Sequence, residues 1–157
     1  MQVFIFRHGQ AEILAARDQD RALTPRGRQD VAQVVRYRLQ ELSNIERILV
    51  SPILRAQQTA TIVCEHLPNK PIEFTELLLP DADPLELCEF VDSLDLTSVL
   101  LVSHLPLVGK LVDILCGLTR GYCTMDTATL AYVETELLVK GLGQLRWVHH
   151  VGDLQEV

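Results

Sequence analysis

The chain has 157 residues, is 48% hydrophobic and carries a formal charge of −7 at neutral pH. This length supports one domain with a substantial core and is too short for two ordinary domains, so we expect a single domain over residues 1–157. The net negative charge argues against non-specific electrostatic binding of nucleic acid or anionic lipid, so any anion-binding site must be local.

The cysteines and the apolar segments indicate the compartment. Cys64, Cys88, Cys116 and Cys123 show neither C-x-x-C spacing nor a paired Cys/His pattern, so we expect buried, reduced thiols. No signal-peptide pattern precedes the first apolar run, and the apolar stretch 99–118 is broken by polar residues, which is typical of a strand followed by a helix. These features predict a cytoplasmic protein.

The amino-terminal residues alternate strand and helix. The apolar run Gln2–Phe6 predicts a strand, which leads into a polar loop over 10–22. Thr24 as N-cap, followed by Pro25 at the first helical position, predicts a helix that runs to about Leu42. A strand followed by a helix is the repeating unit of an α/β fold.

The alternation continues through the middle of the chain. Residues 45–50 predict a second strand, and Ser51 with Pro52 repeats the cap-then-proline signal for a helix that ends near residue 67. After a proline-flanked segment, an N-cap aspartate and a proline predict a helix over residues 83–94.

The remaining residues complete the fold prediction. Residues 98–102 are apolar throughout, as expected of a parallel strand covered on both faces, and a helix from about residue 105 to Gly117 follows. Residues 129–138 and 144–151 predict a terminal β-hairpin. The order β-α-β-α-α-β-α-β-β predicts a three-layer α/β/α sandwich with a mainly parallel central sheet.

Each of the three internal strands ends in residues that suit an anion. Arg7 and His8 follow the first strand, Arg55 follows the second and His104 the third. Because the ends of parallel strands lie along one edge of the sheet, we expect these side chains to converge on one pocket. Two guanidinium and two imidazole groups would attract a phosphate dianion. The alternative is an ordinary surface, on which the arginines form solvated ion pairs and His104 caps a helix.

The absence of other motifs reduces the number of enzyme classes to consider. The chain has no cysteine followed six positions later by an arginine, which counts against a cysteine-dependent phosphatase. It has no G-x-x-x-x-G-K-[ST] loop, which counts against an ATP-driven phosphotransferase. Asp81 and Asp83 form a D-x-D pair, but Asp83 is better explained as a helix N-cap, so no metal or other cofactor is predicted. We interpret His149 and His150 as surface residues.

Four segments form a specific combination: Arg7-His8-Gly9, Leu23-Thr24-x-x-Gly27, Ser51-Pro52-x-x-Arg55-Ala56-x-Gln58-Thr59 and Ser103-His104. This combination resembles the histidine phosphatase superfamily, also called the phosphoglycerate mutase-like fold. Over essentially the whole chain, including residues 1–5 and 102–109, the sequence is similar to small bacterial phosphohistidine phosphatases. Large mutases of the superfamily carry long insertions over the site, for which this chain has no room.

The resemblance implies a role for each of the four candidate residues. His8 is expected to be a nucleophile that is transiently phosphorylated, while Arg7, Arg55 and His104 hold the phosphoryl oxygens. It also implies a minimal fold without lid insertions, and a phosphatase that acts without a metal because the arginines supply fixed positive charge.

The resemblance leaves the general acid open. Family members that act on phosphate esters use a carboxyl group to protonate the leaving group. Glu76 is the nearest candidate by position, and Glu12, Asp18 and Asp20 lie in the loop beside the first strand. A phosphohistidine substrate has an imidazole leaving group, which is far less basic than an alkoxide, so a strong acid matters less.

Three functions stay open on the sequence. The expected one is a phosphatase that removes phosphate from a phosphohistidine of a phosphorelay or phosphotransfer protein, since a site without lids lets a folded partner enter. The alternatives are a phosphatase of a small phosphorylated metabolite and a non-catalytic phosphate-binding module. Neither nucleic acid nor a membrane is an expected partner.

Overall fold

One six-stranded sheet forms the centre of the molecule. The computed structural model describes residues 1–154. The strands are β1 (Gln2–Arg7), β2 (Arg47–Val50), β3 (Ile72–Phe74), β4 (Ser98–Ser103), β5 (Leu130–Glu134) and β6 (Gln144–His149). Their order in the sheet is β3-β2-β4-β1-β5-β6. The first four strands of this order are parallel, β5 pairs antiparallel with β1, and β6 pairs antiparallel with β5.

Helices cover both faces of this sheet. They are α1 (Pro25–Tyr37), α2 (Leu39–Leu42), α3 (Leu54–His66), α4 (Pro84–Ser93) and α5 (Leu107–Cys116), with short 3-10 helices at Asp18–Asp20, Glu76–Leu78 and Val151–Leu154. Side chains of α1 and α3 pack in one apolar cluster, and those of α4 and α5 pack in a second. The predicted α/β/α sandwich with a mainly parallel sheet is therefore confirmed.

The strands are buried on both faces, which explains their continuous apolar sequences. In β1, Phe4 and Phe6 point into the cluster of α1 and α3, while Val3 and Ile5 point into that of α4 and α5. All four side chains are fully buried. Each contributes about 1.5–3 kcal/mol relative to an exposed side chain, so β1 is anchored from both sides of the sheet.

Several predicted helix ends are confirmed at atomic detail. Thr24 is the N-cap of α1, and its Oγ1 accepts a hydrogen bond from the Gly27 amide at 2.9 Å. Asp83 caps α4 by accepting from the Leu85 amide at 2.9 Å. Gly117 ends α5 with a φ of 63°, in the left-handed region that glycine adopts at low cost.

Two helix predictions were wrong. The helix predicted from Ser51 and Pro52 begins only at Leu54, with Ile53 as its N-cap, because the Ser51 hydroxyl oxygen accepts the Ile53 amide, which precedes the first helical residue, and contacts His104. The single helix predicted to Leu42 is interrupted at Arg38.

Contacts from the far end of the chain surround this interruption. The guanidinium of Arg38 lies 3.8 Å from the centre of the Trp147 ring, and its Nε lies 3.1 Å from His149 Nδ1. His149 also packs against Tyr37. His149 and His150 are therefore half-buried rather than the surface residues expected from the sequence. Local helix patterning does not show contacts made by residues more than a hundred positions away.

Other differences are smaller. Strand β3 was not predicted, because it is a three-residue edge strand whose Ile72 and Phe74 are exposed and show no buried apolar run. The hairpin strands β5 and β6 are shorter than the predicted 129–138 and 144–151.

The four cysteines were expected to be buried thiols. All four are free, but only Cys88 is buried. Within residues 1–154, no helix has the length and apolar character needed to cross a bilayer.

A close backbone approach joins the loop after β1 to the start of α1. A Cβ atom on Gly27 would lie 2.1 Å from the Gln10 carbonyl oxygen, and one on Gly9 would lie 2.8 Å from the Gly27 carbonyl oxygen. The Thr24 amide donates to the same Gln10 oxygen at 3.0 Å. Glycine at both positions is therefore what allows α1 to hold the loop that follows His8.

We predict that Gly27→Ala lowers the free energy of unfolding by about 1–3 kcal/mol, because the new methyl group overlaps the backbone of Gln10. Gly152→Ala is the matched control, since no atom lies within 4 Å of its added Cβ, and it should change stability by less than about 0.5 kcal/mol. Denaturant unfolding measures both. Equal stabilities for the two variants would contradict the predicted overlap.

Candidate active site

His8 is held rigidly at the carboxyl end of β1. Its amide donates to the Ser103 carbonyl at 3.0 Å, and its carbonyl accepts from the Ala128 amide at 2.9 Å. His8 is 6% exposed, and its Nδ1 lies 2.7 Å from the Gly9 carbonyl oxygen. Because a carbonyl oxygen only accepts, Nδ1 carries the proton and Nε2 keeps its lone pair.

Arg55, in the first turn of α3, faces this lone pair. Its Nε donates to His8 Nε2 at 3.3 Å. Its two terminal nitrogens donate to Asp18, one to the backbone oxygen at 3.0 Å and one to Oδ2 at 3.2 Å. The Arg55 side chain is only 7% exposed, whereas that of Asp18 is 68% exposed. Asp18 therefore holds Arg55 against His8 from the solvent side.

His104 follows β4 and lies on the other side of His8. The two ring centres are 5.0 Å apart, and His104 Nε2 lies 2.8 Å from the Ser51 hydroxyl oxygen. The Ile53 amide donates to that same oxygen, so the hydroxyl hydrogen is available to His104 Nε2. In that arrangement the His104 proton is on Nδ1, which is buried and lacks a hydrogen-bond partner among the described residues.

Arg7, the last residue of β1, also has an unpartnered donor. One of its terminal nitrogens donates to the Met125 carbonyl at 2.8 Å, but its Nε is buried and has no partner within residues 1–154. Buried polar atoms without partners are costly and uncommon. Two of them, Arg7 Nε and His104 Nδ1, belong to the side chains that flank His8. Unpartnered donors of this kind suit an oxyanion.

Burial sets the protonation of the two histidines. Desolvation lowers the pKa of His8 to about 4, with further lowering by the charges of Arg55 and Arg7. Desolvation likewise lowers the pKa of His104 to about 3, and His8 and Arg55 add to the effect. Both rings are neutral at pH 7, so the positive charge of the site comes from the guanidinium groups.

A second layer of polar contacts positions these groups. Thr59 Oγ1 accepts from the Gly9 amide at 3.1 Å and donates to the Arg55 carbonyl at 2.8 Å, which ties the loop after β1 to α3. Gln58 Oε1 accepts from the Leu23 amide at 2.7 Å. Sequence reasoning assigned no role to Thr59 or Met125. Thr59 belongs to the segment from Ser51 to Thr59 that resembles the family, so the sequence could have indicated it. Met125 contributes a backbone carbonyl, which any residue has, so its side chain could not have indicated it.

Of the four candidate acids, the structure brings only Asp18 into contact with the central side chains. A hydrogen bond from Arg21 and the charge of Arg55 lower the pKa of Asp18, so it is ionised at neutral pH. Asp20 pairs instead with Arg17 at 2.9 Å. Glu12 and Glu76 are exposed, and Glu76 lines a separate groove with Asp20.

Comparisons with known proteins show the family of this chain. The model of the histidine phosphatase superfamily (branch 1) matches residues 3–79. Phosphohistidine phosphatase SixA of Escherichia coli (strain K12) is 39% identical over 152 residues, which cover 94% of this chain and 92% of that protein. The chain belongs to the histidine phosphatase superfamily. A SixA homologue of Haemophilus influenzae is 38% identical, covering 83% of this chain and 86% of its own.

A solved structure of this superfamily extends the agreement to three dimensions. The protein histidine phosphatase SixA complexed with tungstate superposes with a TM-score of 0.90 at 36% identity. The match covers 99% of this chain and all of that one. Both proteins therefore share the whole fold.

The lowered histidine pKa values predict how stability depends on pH. Between the unfolded value of about 6.5 and the folded values of about 4 and 3, the unfolded chain binds more protons than the folded one. The free energy of unfolding should therefore fall as the pH is lowered from about 6.5 to 4.5, with a contribution of up to about 1.4 kcal/mol per pH unit from each histidine. Urea unfolding in non-phosphate buffers measures this slope. A double variant His8→Gln/His104→Gln should show a shallower slope, and an unchanged slope would contradict the assignment.

Proposed function

We propose that this protein is a phosphohistidine phosphatase that removes phosphate from a histidine of a phosphorelay or phosphotransfer protein. The observation that carries the proposal is the neutral Nε2 of His8, flanked by Arg55 and by Arg7 Nε and His104 Nδ1, two donors that have no partner in the described part of the chain. A lone pair beside three oxyanion donors suits attack on phosphorus.

The proposed reaction has two steps. His8 Nε2 attacks phosphorus in line, forming a new P–N bond while the P–N bond to the substrate imidazole breaks. The substrate ring, protonated on its other nitrogen, leaves as neutral imidazole, and phosphorylated His8 keeps its proton on Nδ1. Arg7, Arg55 and His104 then hydrogen-bond the three equatorial oxygens, and the Arg55 Nε–H that meets Nε2 in the free protein turns to a phosphoryl oxygen. Water hydrolyses the His8 intermediate, releasing inorganic phosphate and restoring the free imidazole.

The electrostatics of the site support this chemistry without a metal. The guanidinium groups of Arg7 and Arg55 supply fixed positive charge, while the neutral His8 keeps the lone pair that a protonated ring would lose. The exchange of one imidazole for another also lowers the demand for a strong acid. The ionised Asp18 is therefore better suited to hold Arg55 than to donate a proton.

The relatives support the same conclusion. The similar proteins of E. coli and H. influenzae are named for phosphohistidine phosphatase activity, and tungstate, which accompanies the solved relative, is a tetrahedral oxyanion like phosphate. The four free thiols fit a reducing cytoplasm, which we include in the proposal as the place of action.

We predict that His8→Ala abolishes both turnover and the labelled intermediate. The test incubates the protein with a ³²P-phosphohistidine protein and searches for acid-labile label on His8. His66→Ala, which changes a histidine of α3 outside the site, is the control and should behave as wild type. Full turnover by His8→Ala would rule out the covalent mechanism, and faster hydrolysis of sugar phosphates than of phosphohistidine by the wild-type protein would favour a metabolite phosphatase.

Arg55→Ala should lower kcat by at least about a hundredfold, because it removes a preorganised donor to the transition state. Arg7→Ala should have an effect of similar size. Steady-state release of inorganic phosphate measures both. Retention of wild-type kcat in the two variants would place the reaction elsewhere in the molecule.

Asp18→Asn tests whether this residue positions Arg55 or donates a proton. The Asp18 backbone contact with Arg55 remains in the variant, so we expect a loss of less than about tenfold and an unchanged shape of the pH–rate profile. A general acid contributes typically about 10²–10⁴-fold. A loss of that size, together with the disappearance of the alkaline limb of the profile, would instead assign Asp18 as the acid.

A further inference from the structure

A groove leads from Arg7 along α5, away from His8. It consists of two adjoining cavities of about 420 and 470 Å³, which share Lys110, Asp113 and Arg120 as lining residues. Arg7 lines the first cavity and Lys140 the second. We call this continuous surface the α5 groove. Arg7 also acts on the charge state of His8, so the first cavity of the α5 groove begins beside the candidate active site.

The rim of the α5 groove is basic, although the chain as a whole carries a charge of −7. Lys110, Arg120 and Lys140 lie along it, and within residues 1–154 none of the three forms an ion pair with a carboxylate. Two of the three lysines of the chain are thus gathered at this one surface. Such a local concentration of cations attracts an acidic partner.

Two carboxylates, Asp113 and Asp126, line the groove beside four basic side chains, so its lining keeps a net positive charge. Asp113 is 5% exposed, and its two oxygens accept the amides of Gly121 and Cys123 at 2.9 Å. Its charge therefore stabilises the loop after α5. Asp126, at the mouth of the groove, is exposed and lies beside Arg7 and His150.

The floor of the groove is apolar. Leu105 is 40% exposed there, and Pro106 and Met125 line the same cavity. Gly109 completes the floor, where a Cβ atom would come within 3.2 Å of the Cys123 carbonyl oxygen. The first cavity therefore combines an apolar floor with basic edges, which suits an apolar side chain flanked by carboxylates.

The opposite flank of the site has the reverse character. A groove of about 510 Å³ on the Arg55 side is lined by Asp20, Glu76 and uncharged residues, and no basic side chain of the described residues 1–154 lines it. An acidic surface would be repelled there and attracted along α5. The difference in charge between the two flanks gives a bound partner one preferred orientation.

We propose that the α5 groove docks the phosphohistidine-bearing protein, taking up an apolar side chain and neighbouring carboxylates that lie next to the phosphohistidine. This inference rests on the proposed function and adds the recognition surface to it. The partner that it identifies is a phosphoprotein whose surface around the phosphohistidine is acidic.

The test compares two substrates in the full chain. One is free phosphoimidazole, which reaches His8 without using the groove, and the other is a histidine phosphotransfer protein with carboxylates near its phosphohistidine. Lys110→Glu/Arg120→Glu should lower kcat/KM for the protein substrate by about tenfold or more and weaken its dependence on ionic strength, since long-range attraction is lost. Hydrolysis of phosphoimidazole should stay at the wild-type rate, which also shows that the variant is folded.

Two controls sharpen this comparison. Lys70→Glu reverses a charge in the loop before β3, at the opposite end of the sheet, and should leave both activities unchanged. A second form of the phosphotransfer protein, with its nearby carboxylates changed to amides, should be a poorer substrate of the wild type. For this second form, kcat/KM with Lys110→Glu/Arg120→Glu should be close to kcat/KM with the wild type.

The outcomes separate the two proposals. The docking groove would be overturned if Lys110→Glu/Arg120→Glu acted on the acidic phosphoprotein with the same kcat/KM as the wild type. It would also be overturned if the variant lost activity equally on both substrates. Either result would leave the proposed function intact. A wild-type protein that hydrolyses phosphoimidazole but does not act on the phosphoprotein would overturn the proposed function, and the groove proposal with it.

Discussion

The hydrogen bond between His8 Nδ1 and the Gly9 carbonyl is the interaction on which the candidate site depends. It puts the imidazole proton on the buried nitrogen and leaves the lone pair on Nε2, facing Arg55. The Gly9 backbone can occupy its place because Thr59 accepts its amide and because Gly27 has no side chain to push the loop away from α1. The tautomer of one ring is thus maintained by packing between β1, α1 and α3.

Burial and the nearby positive charges both keep His8 unprotonated. Desolvation keeps His8 and His104 neutral, so the lone pair of His8 persists beside two permanent cations. A protonated His8 would be repelled by Arg7 and Arg55 and would have no lone pair on Nε2 to attack phosphorus. Among residues 1–154 no group accepts a hydrogen bond from Arg7 Nε or His104 Nδ1, so both donors are available to a bound oxyanion.

Much of the fold and of the candidate site could be predicted because it depends on local patterns. The buried strands are continuous apolar runs, Thr24 and Asp83 are recognisable caps, and the ends of parallel strands must meet at one edge. The errors occurred where distant contacts decide. Ser51 looked like a cap but contacts His104, and the helix was expected to continue through Arg38, where Trp147 and His149 pack against it.

The sequence by itself determined the alternation of strands and helices and which four side chains stand at the strand ends, because both follow from neighbours along the chain. Only the tertiary structure decided which nitrogen of His8 is free, which carboxylate reaches Arg55, and that Lys110, Arg120 and Lys140 share one groove. These depend on distances between residues remote in sequence and on the loss of water around them. Such quantities exist only after the chain has packed.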